Sequence, residues 1–259
     1  MSGEDSIHAD RARALSFGGV AALYDRARPS YPPALVDTLM EWMPRAVLDV
    51  GCGTGKASRL LADRGCAVTG VEPDASMVVI ARAHGITVEE GTFEQWDPQH
   101  RRFDLVISGQ AWHWVDPKLG VAKAASVIHP GGHLAVFWNR GRHDPTTAAA
   151  LDTVYERLAP SLERPTAELH PAHEAHDEHV ETLQRSGAFV SFEARAYPWE
   201  AVYDRASWLD FVATQSDHVL LSDAQRAALL DALGNVIDGL GGTVAYHFST
   251  LLLTATRDA

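Results

Sequence analysis

Short apolar segments alternate with segments of helical periodicity between residues 46 and 138, and this alternation limits the possible folds most strongly. The apolar segments are predicted to be strands at 46–50, 67–71, 86–90, 103–108 and 133–138. Helical periodicity covers 54–63, 74–84 and 116–128. Strands separated by helices of this length form right-handed βαβ units. The sequence therefore predicts an α/β fold with a doubly wound, mostly parallel sheet.

Two late segments, 189–197 and 246–256, also have strand character, but no simple βαβ crossover joins them. We expect them to form an antiparallel pair at one edge, which gives a seven-stranded, Rossmann-like sheet. The mostly helical segment 205–240 lies between them and is predicted to be an inserted cap. Residues 1–45 are predicted to form an arm and a helix. The whole of 1–259 is then interpreted as one domain with a ligand-binding core at 46–138.

The charge balance restricts the possible partners. The chain has 34 acidic residues against 22 basic residues, a net charge of −12. This balance argues against nucleic acid and anionic membranes, both of which are bound mainly through clustered Lys and Arg. Two cysteines form no disulfide framework, and the sequence has neither a signal-peptide pattern nor an apolar run of about 20 residues. We therefore expect a cytoplasmic protein, either a monomer or a homodimer.

The strongest local signal is the segment Gly51-Cys52-Gly53-Thr54-Gly55-Lys56, which joins a buried strand to a helix. A P-loop would need Gly at position 50 and Ser or Thr after Lys56, and the sequence has neither. The dinucleotide fingerprint fails once, because Lys56 stands where its third glycine belongs. Glu72 closes the next strand, where an acid can accept hydrogen bonds from both hydroxyls of a ribose. The ligand is therefore predicted to be nucleoside-like.

Four segments in this order, LDVGCGTGK, VTGVEPD, FDLVISGQAWHWVD and HPGG, resemble class I S-adenosylmethionine (SAM)-dependent methyltransferases. The resemblance covers roughly residues 17–138 and is strongest to the type 11 methyltransferase domain. The N-terminal segment FGGVAALYDRARPSYP is similar to the trans-aconitate methyltransferase-like group. The resemblance implies that 46–138 is a SAM-binding core and that S-adenosylhomocysteine is the product.

The resemblance also implies contacts for each part of SAM. Asp49, Gly51, Gly53 and Gly55 correspond to positions beside the methionine and ribose. Glu72 would hold the ribose hydroxyls, and Pro73 would border the adenosine. The adenine segment corresponds to Thr92, Phe93 and Glu94. Gln110 and Ala111 would lie beneath the sulfonium, and Tyr24 would close over the methionine end.

The methyl acceptor is expected to be a small molecule. His113 follows the fourth strand and is a candidate general base, which a hydroxyl, ammonium or carbon acceptor requires. Arg28 and Arg140 are candidates for holding a carboxylate, which needs no base. For each of the three, the alternative is a structural or surface role, which the sequence favours over the functional one. The cap, with Trp208 and His218, is expected to cover the cleft, although it could instead be a packing pair of helices or a dimer surface.

Two other functions remain open at this stage: an NAD-binding oxidoreductase, and a SAM-binding protein without turnover. The chain has no Asn/Asp-Pro-Pro-Tyr segment, which disfavours a nucleic-acid methyltransferase. Four histidines recur every three residues, at His170, His173, His176 and His179. Pro171 interrupts the start of this segment, and a three-residue period drifts around a helix. We therefore expect a solvated segment and no metal site.

Overall fold

The computed structural model describes residues 21–162, 177–219 and 221–258. Seven strands form one sheet. They are β1 (Ala46–Val50), β2 (Ala67–Glu72), β3 (Thr87–Glu90), β4 (Phe103–Gly109), β5 (Ile128–Arg142), β6 (Phe189–Asp204) and β7 (Thr243–Arg257).

The described helices flank the sheet or lie in the insert between β6 and β7, with a short 3₁₀ helix at Trp112–Trp114. They are α1 (Ala21–Ala27), α2 (Pro33–Met40), α3 (Lys56–Ala62), α4 (Ala75–Ala83), α5 (Pro117–Val127), α6 (Pro145–Leu158), α7 (Asp177–Ser186), α8 (Arg205–Ala213), α9 (Ser216–Val219) and α10 (Asp223–Gly239). None of the helices in the described ranges combines the length and apolar character that a bilayer crossing requires.

The strand order is β3-β2-β1-β4-β5-β7-β6, with β1 to β5 parallel and β7 antiparallel to both of its neighbours. The predicted fold class, including the antiparallel edge pair and the helical insert, is confirmed. From β1 the chain builds the sheet outward in one direction through β2 and β3, and it then returns to the other side of β1 with β4. The connection therefore switches direction between β1 and β4. Ligands bind at such a switch point in open α/β sheets, outside the carboxyl ends of the strands.

Two predicted helix starts are confirmed by their capping bonds. The Asp74 carboxylate accepts hydrogen bonds from the Ser76 and Met77 N–H groups at 2.8 and 3.1 Å. Asp116 caps α5 in the same way, with Pro117 in the first turn. Helix α3, in contrast, begins at Lys56 and not at residue 54. Gly55, with a φ of 84°, is its N-cap and keeps the preceding loop out of the helix.

The three strands around the edge are longer than the sequence predicts. Strand β5 spans Ile128–Arg142, but its pairing with β4 is irregular between Ile128 and His133, where Gly131 has a φ of 78°. Strands β6 and β7 pair from Phe189↔Arg257 to Asp204↔Thr243. The insert therefore leaves and rejoins the sheet at two paired residues, which the local apolar pattern did not indicate.

The core has three parts. Leu35, Leu61 and Phe137 belong to the cluster that packs α2 and α3 on one face of the sheet. The other face carries α5 and α7, whose Val121 and Leu183 join a cluster with Trp138. A third cluster fills the space between α6, α8, α10 and the far ends of β6 and β7. We call α8, α9 and α10 the cap.

Candidate functional site

A cleft lies at the carboxyl ends of β1, β2 and β4. Ten of the twelve residues predicted to bind the cofactor line it. They are Tyr24, Gly51, Gly53, Glu72, Pro73, Thr92, Phe93, Glu94, Gln110 and Ala111. The cleft wall therefore consists of the loops after β1, β2, β3 and β4, together with residues of α1 and α4.

Asp49 and Gly55 were predicted to bind the cofactor but are not part of this wall. The Asp49 side chain is fully buried, and one oxygen accepts a hydrogen bond of 2.6 Å from the Ser58 hydroxyl. Its other oxygen has no partner among the described residues. Gly55 packs against Ala81 and Ile86, where a Cβ would lie 3.3–3.4 Å from their side chains. It shapes the turn into α3 and does not face the cleft.

Glu72 is held by backbone donors on both sides. One carboxylate oxygen accepts a hydrogen bond of 2.9 Å from Gly53 N–H, and the other accepts one of 3.0 Å from Asp74 N–H. The side chain is only 8% exposed, yet it borders the cleft. Because two loops fix its orientation, the carboxylate is positioned in advance for a ligand with hydroxyl groups.

Burial makes both acids of the site weaker than usual. It raises the pKa of the Asp49 carboxyl to about 7, although the Ser58 hydrogen bond opposes this. It also raises the pKa of Glu72 to about 7, against the hydrogen bonds from the Asp74 and Gly53 N–H groups. Both groups therefore titrate near neutral pH, and a cationic ligand nearby favours their ionised forms.

The glycine loop brings its backbone directly against the end of β4. Gly51 has a φ of 66°, and a Cβ at this position would lie 2.5 Å from Ala111 Cβ. Gly53, with a φ of 55°, has no atom within 4 Å of its missing Cβ. One glycine thus permits close packing, and the other leaves space for a ligand beside the loop.

Gln110 adopts a left-handed backbone conformation with a φ of 60°, which is strained for a residue with a side chain. Its N–H donates to Phe137 O at 2.9 Å, and its side-chain amide donates to Asn139 O at 3.1 Å. These bonds to β5 maintain the strained turn at the floor of the cleft. Such strain is concentrated at functional sites.

The side of the cleft predicted to hold adenine is more apolar than the sequence indicates. Phe93 is 3% exposed, and Thr92 Oγ1 is buried without a partner among the described residues. Glu94 Oε1 accepts a hydrogen bond of 2.9 Å from Asp116 N–H, so Glu94 also links this loop to α5.

The sequence reasoning missed several wall residues, most of them apolar. They are Val50, Val71, Met77, Gly109 and Val115. Val50 and Val71 immediately precede the glycine loop and Glu72, so the ends of the predicted strands were an available signal. Met77 and Val115 gave no local signal, because their exposure to the cleft depends on how α4 and the 3₁₀ helix pack.

Helix α1 carries Tyr24 over the cleft and is fixed to the core by Asp25. The Asp25 carboxylate accepts from Arg59 at 3.2 Å and contacts His84 Nε2 at 2.9 Å. Its backbone carbonyl accepts a hydrogen bond of 2.5 Å from Lys56 Nζ. Helices α3 and α4 therefore hold the arm that covers the predicted methionine end of the cleft.

The three residues predicted to act on the acceptor do not converge. Arg28 Cζ lies 5.2 Å from the Tyr24 ring centroid and 5.4 Å from that of Phe211 in the cap. Arg140 is exposed and shares a face of β5 with Trp138, whose ring stacks on His179. Asn139, which contacts the Ser30 carbonyl in the arm, is on the opposite face. Arg28 and Arg140 therefore lie on different sides of the sheet and do not form one clamp.

His113 has an arrangement unlike that of a base facing the cleft. Trp138 Nε1–H donates to His113 Nδ1 at 3.2 Å. This bond uses the lone pair of Nδ1, so the neutral ring carries its hydrogen on Nε2. None of His113, Arg28 and Arg140 is a wall residue of the cleft. The geometry favours a structural role for His113.

The two cap residues singled out from the sequence are both buried. Trp208 is 5% exposed and His218 is 8% exposed. His218 Nε2 lies 2.9 Å from the Tyr155 hydroxyl, and burial lowers the pKa of its ring to about 4. Among the periodic histidines, His170, His173 and His176 lie outside the described residues, and His179 stacks on Trp138 with ring centroids 5.2 Å apart.

The amino-acid sequence of this chain is similar to those of known methyltransferases. A family described as "Methyltransferase domain" matches residues 47–132. An uncharacterised methyltransferase of Mycobacterium tuberculosis is 41% identical over 131 residues, which cover 50% of this chain and 54% of that protein. A matching protein of Mycobacterium bovis has the same values. The chain thus spans about half the length of the curated relatives it matches.

Solved structures extend the comparison to the fold. A protein from Anaeromyxobacter dehalogenans, described as a type II methyltransferase, superposes with a TM-score of 0.64 at 25% identity, covering 88% of this chain and 97% of that one. Phosphoethanolamine N-methyltransferase 2 of Haemonchus contortus, solved with S-adenosylhomocysteine, has a TM-score of 0.55. It is 15% identical and covers 98% of this chain and 60% of that one, so it compares the fold alone. Residues 47–132 thus match a methyltransferase domain, and the chain shares its fold with these two methyltransferases of known structure.

Proposed function

We propose that this chain transfers a methyl group from SAM to a small-molecule acceptor bound between the cleft and the cap. The main support is Glu72, a buried carboxylate held by two backbone donors at the edge of a cleft in a methyltransferase domain. The match to that domain also favours SAM over NAD as the ligand.

The residues of the cleft fit SAM. Glu72 would accept the ribose hydroxyls, and the apolar wall with Phe93 would contact the adenine. Thr92 Oγ1 is buried without a partner among the described residues, so a polar group of a ligand can complete it. SAM carries a sulfonium and an ammonium group, and both favour ionised acids nearby. Tyr24 offers an aromatic face to the sulfonium.

SAM would supply an electrophilic methyl group. A lone pair of the acceptor would attack its carbon in line as the bond to the sulfonium sulfur breaks, with S-adenosylhomocysteine as the leaving group. The protein contributes mainly alignment and exclusion of water, effects worth several kcal/mol where the geometry is held. Gln110, Ala111 and Tyr24 line the cleft, and in this proposal they would surround the reacting centre. A carboxylate acceptor is already ionised at neutral pH and needs no base, in keeping with the position of His113.

Arg28 is the residue that best supports a small organic acid as the acceptor. Its guanidinium lies between Tyr24 of the cleft and Phe211 of the cap, and it donates a hydrogen bond of 2.8 Å to Thr214 O. Its Nε–H is buried and has no partner among the described residues. A carboxylate would complete this donor and neutralise the charge. Arg140, exposed on the other face of β5, is not placed for this role.

The test has two stages, beginning with titration of SAM and NAD by calorimetry. Binding of NAD without SAM would overturn the proposed function.

Turnover is then screened with di- and tricarboxylates, with S-adenosylhomocysteine formation as the readout. We expect Arg28→Met to reduce kcat/KM for the acid about 10- to 100-fold, the loss of one charge-assisted contact, without changing SAM affinity. Arg140→Met is the matched control and should behave as the parent. Absence of a methyl ester with every acid would refute the acid acceptor alone.

A further inference from the structure

The cap contains a buried indole without a hydrogen-bond partner. Trp208 is 5% exposed, and its Nε1–H contacts no acceptor among the described residues. Three other tryptophans differ in this respect. Trp96, Trp138 and Trp199 donate to Glu89, His113 and Thr250 at 2.6, 3.2 and 2.9 Å. A buried donor without an acceptor costs about 1–3 kcal/mol, so the exception at Trp208 requires a reason.

A buried acceptor without a partner lies beside this indole. His143 Nδ1 is 3.1 Å from Ala245 O, and a carbonyl can only accept, so Nδ1 carries the hydrogen. Burial also lowers the pKa of the ring, which favours its neutral form. The remaining nitrogen, Nε2, therefore presents a lone pair, and it is buried with no partner among the described residues.

The two side chains share one aromatic environment. The His143 and Trp208 ring centroids are 4.5 Å apart, and Tyr246 lies 4.7 and 4.9 Å from them. Tyr246 contributes an aromatic wall, and the hydrogen of its hydroxyl is already donated to Gly141 O at 2.8 Å. Gly141 is required there, since a Cβ would lie 2.1 Å from the Tyr246 ring.

This pair is connected to the acceptor side of the cleft. The Phe211 ring centroid is 5.3 Å from that of Trp208, and Arg28 Cζ is 5.4 Å from the same Phe211 ring. Arg28 in turn lies against Tyr24, which lines the cleft. The contacts from Tyr24 through Arg28 and Phe211 therefore connect the cleft to Trp208 and His143.

We propose that Trp208 and His143 form a subsite for a hydroxyl group on a flat, aromatic part of the methyl acceptor. The hydroxyl oxygen accepts from Trp208 Nε1–H, and its hydrogen is donated to His143 Nε2. The pair selects against other groups, because a carboxylate cannot donate to His143 and an ammonium cannot accept from Trp208. The identity of the bound molecule as an acceptor rests on the proposed function. The hydroxyl is recognised, and the methyl group is transferred elsewhere on the molecule.

Phenol is the probe, with toluene and anisole as matched molecules that lack the donated hydrogen. Indole N–H signals of ¹⁵N-tryptophan-labelled protein are followed by NMR, and the Trp208 signal is assigned by its loss in Trp208→Phe. Phenol should move this signal downfield in a saturable manner. Toluene and anisole should bind more weakly, by about five- to tenfold, the value of one hydrogen bond.

His143→Asn provides the matched variant, because its side-chain amide can still donate to Ala245 O while the lone pair of Nε2 is lost. We expect phenol affinity to fall about tenfold in this variant and anisole affinity to stay within twofold. An unmoved Trp208 signal, or equal affinity for phenol and toluene, would overturn the subsite.

The titrations are run with and without S-adenosylhomocysteine. Failure of that nucleoside to bind therefore counts against the proposed function and leaves the phenol result to decide the subsite. Thermal unfolding checks that each variant folds.

Discussion

At the scale of single residues, the chemistry of the site depends on which partner holds each polar atom. Glu72 is oriented by two backbone donors, whereas His113 has its Nδ1 lone pair occupied by Trp138. The sequence identified Glu72 because its role follows from its position at the end of a strand. It could not assign the tautomer of His113 or His143, because Trp138 and Ala245 are distant in the chain and meet these rings only in the fold.

The first prediction concerns the titration of Glu72. Because its pKa is raised to about 7, the carboxyl is largely protonated below neutrality and accepts hydrogen bonds less well. SAM affinity should therefore fall as pH decreases through 7, by up to about tenfold per unit for each acid that must be ionised. Calorimetric Kd values between pH 5.5 and 8.5 measure this effect.

Glu72→Gln should weaken SAM binding about 10- to 100-fold at pH 8 and reduce the pH dependence. Glu72→Asp keeps a titrating group and serves as the control. An unchanged pH dependence in Glu72→Gln would show that another group is responsible, with Asp49 as the nearest alternative.

At the scale of elements, helix α1 connects the core, the cleft and the cap through neighbouring residues. Asp25 contacts α3 and α4, Tyr24 lines the cleft, and Arg26 pairs with Asp210 of α8 at 3.1 Å. Sequence patterns located most elements, because capping residues and strand ends are local signals. They did not predict that Arg28 and Arg140 lie on different sides of β5, since this depends on how the arm crosses the sheet.

The second prediction concerns the attachment of this helix. Asp25→Asn removes the charge that pairs with Arg59 and His84, so Tyr24 should be less firmly held over the cleft. We expect SAM affinity to fall about three- to tenfold, in line with a partly buried pair, with a smaller effect on melting temperature. Arg26→Ala is the control, because that ion pair is exposed, at 66% and 43% for its two side chains. Equal losses in the two variants would contradict a specific role for Asp25.

At the scale of the whole molecule, the cleft is a source of instability when no ligand is present. Two buried acids with raised pKa values, Asp49 and Glu72, lie in its vicinity. The folded protein binds more protons than the unfolded chain between about pH 4 and pH 7. Its stability from these groups is therefore present at low pH and is lost as pH rises through 7.

The third prediction is that Asp49→Asn stabilises the ligand-free protein. The asparagine oxygen can still accept the Ser58 hydrogen bond, while the cost of ionising a buried acid disappears. The melting temperature should increase by several degrees at pH 8 and by clearly less at pH 5, as measured by calorimetry. Ser58→Ala, which removes the bond but leaves the acid, should instead lower it, most strongly at pH 8. A gain for Asp49→Asn that is equal at both pH values would contradict the titration argument.

The pairing of Asp204 with Thr243 has an evolutionary consequence. The insert departs from and returns to adjacent points of one hairpin, so a change in its length or sequence leaves the register of β6 and β7 intact. During evolution, residues 205–242 could be replaced as a unit while the cleft at β1, β2 and β4 stays the same. Exchange of this segment would then change the acceptor site, with matching changes at Arg26 and Arg28 of the arm, which contact the cap.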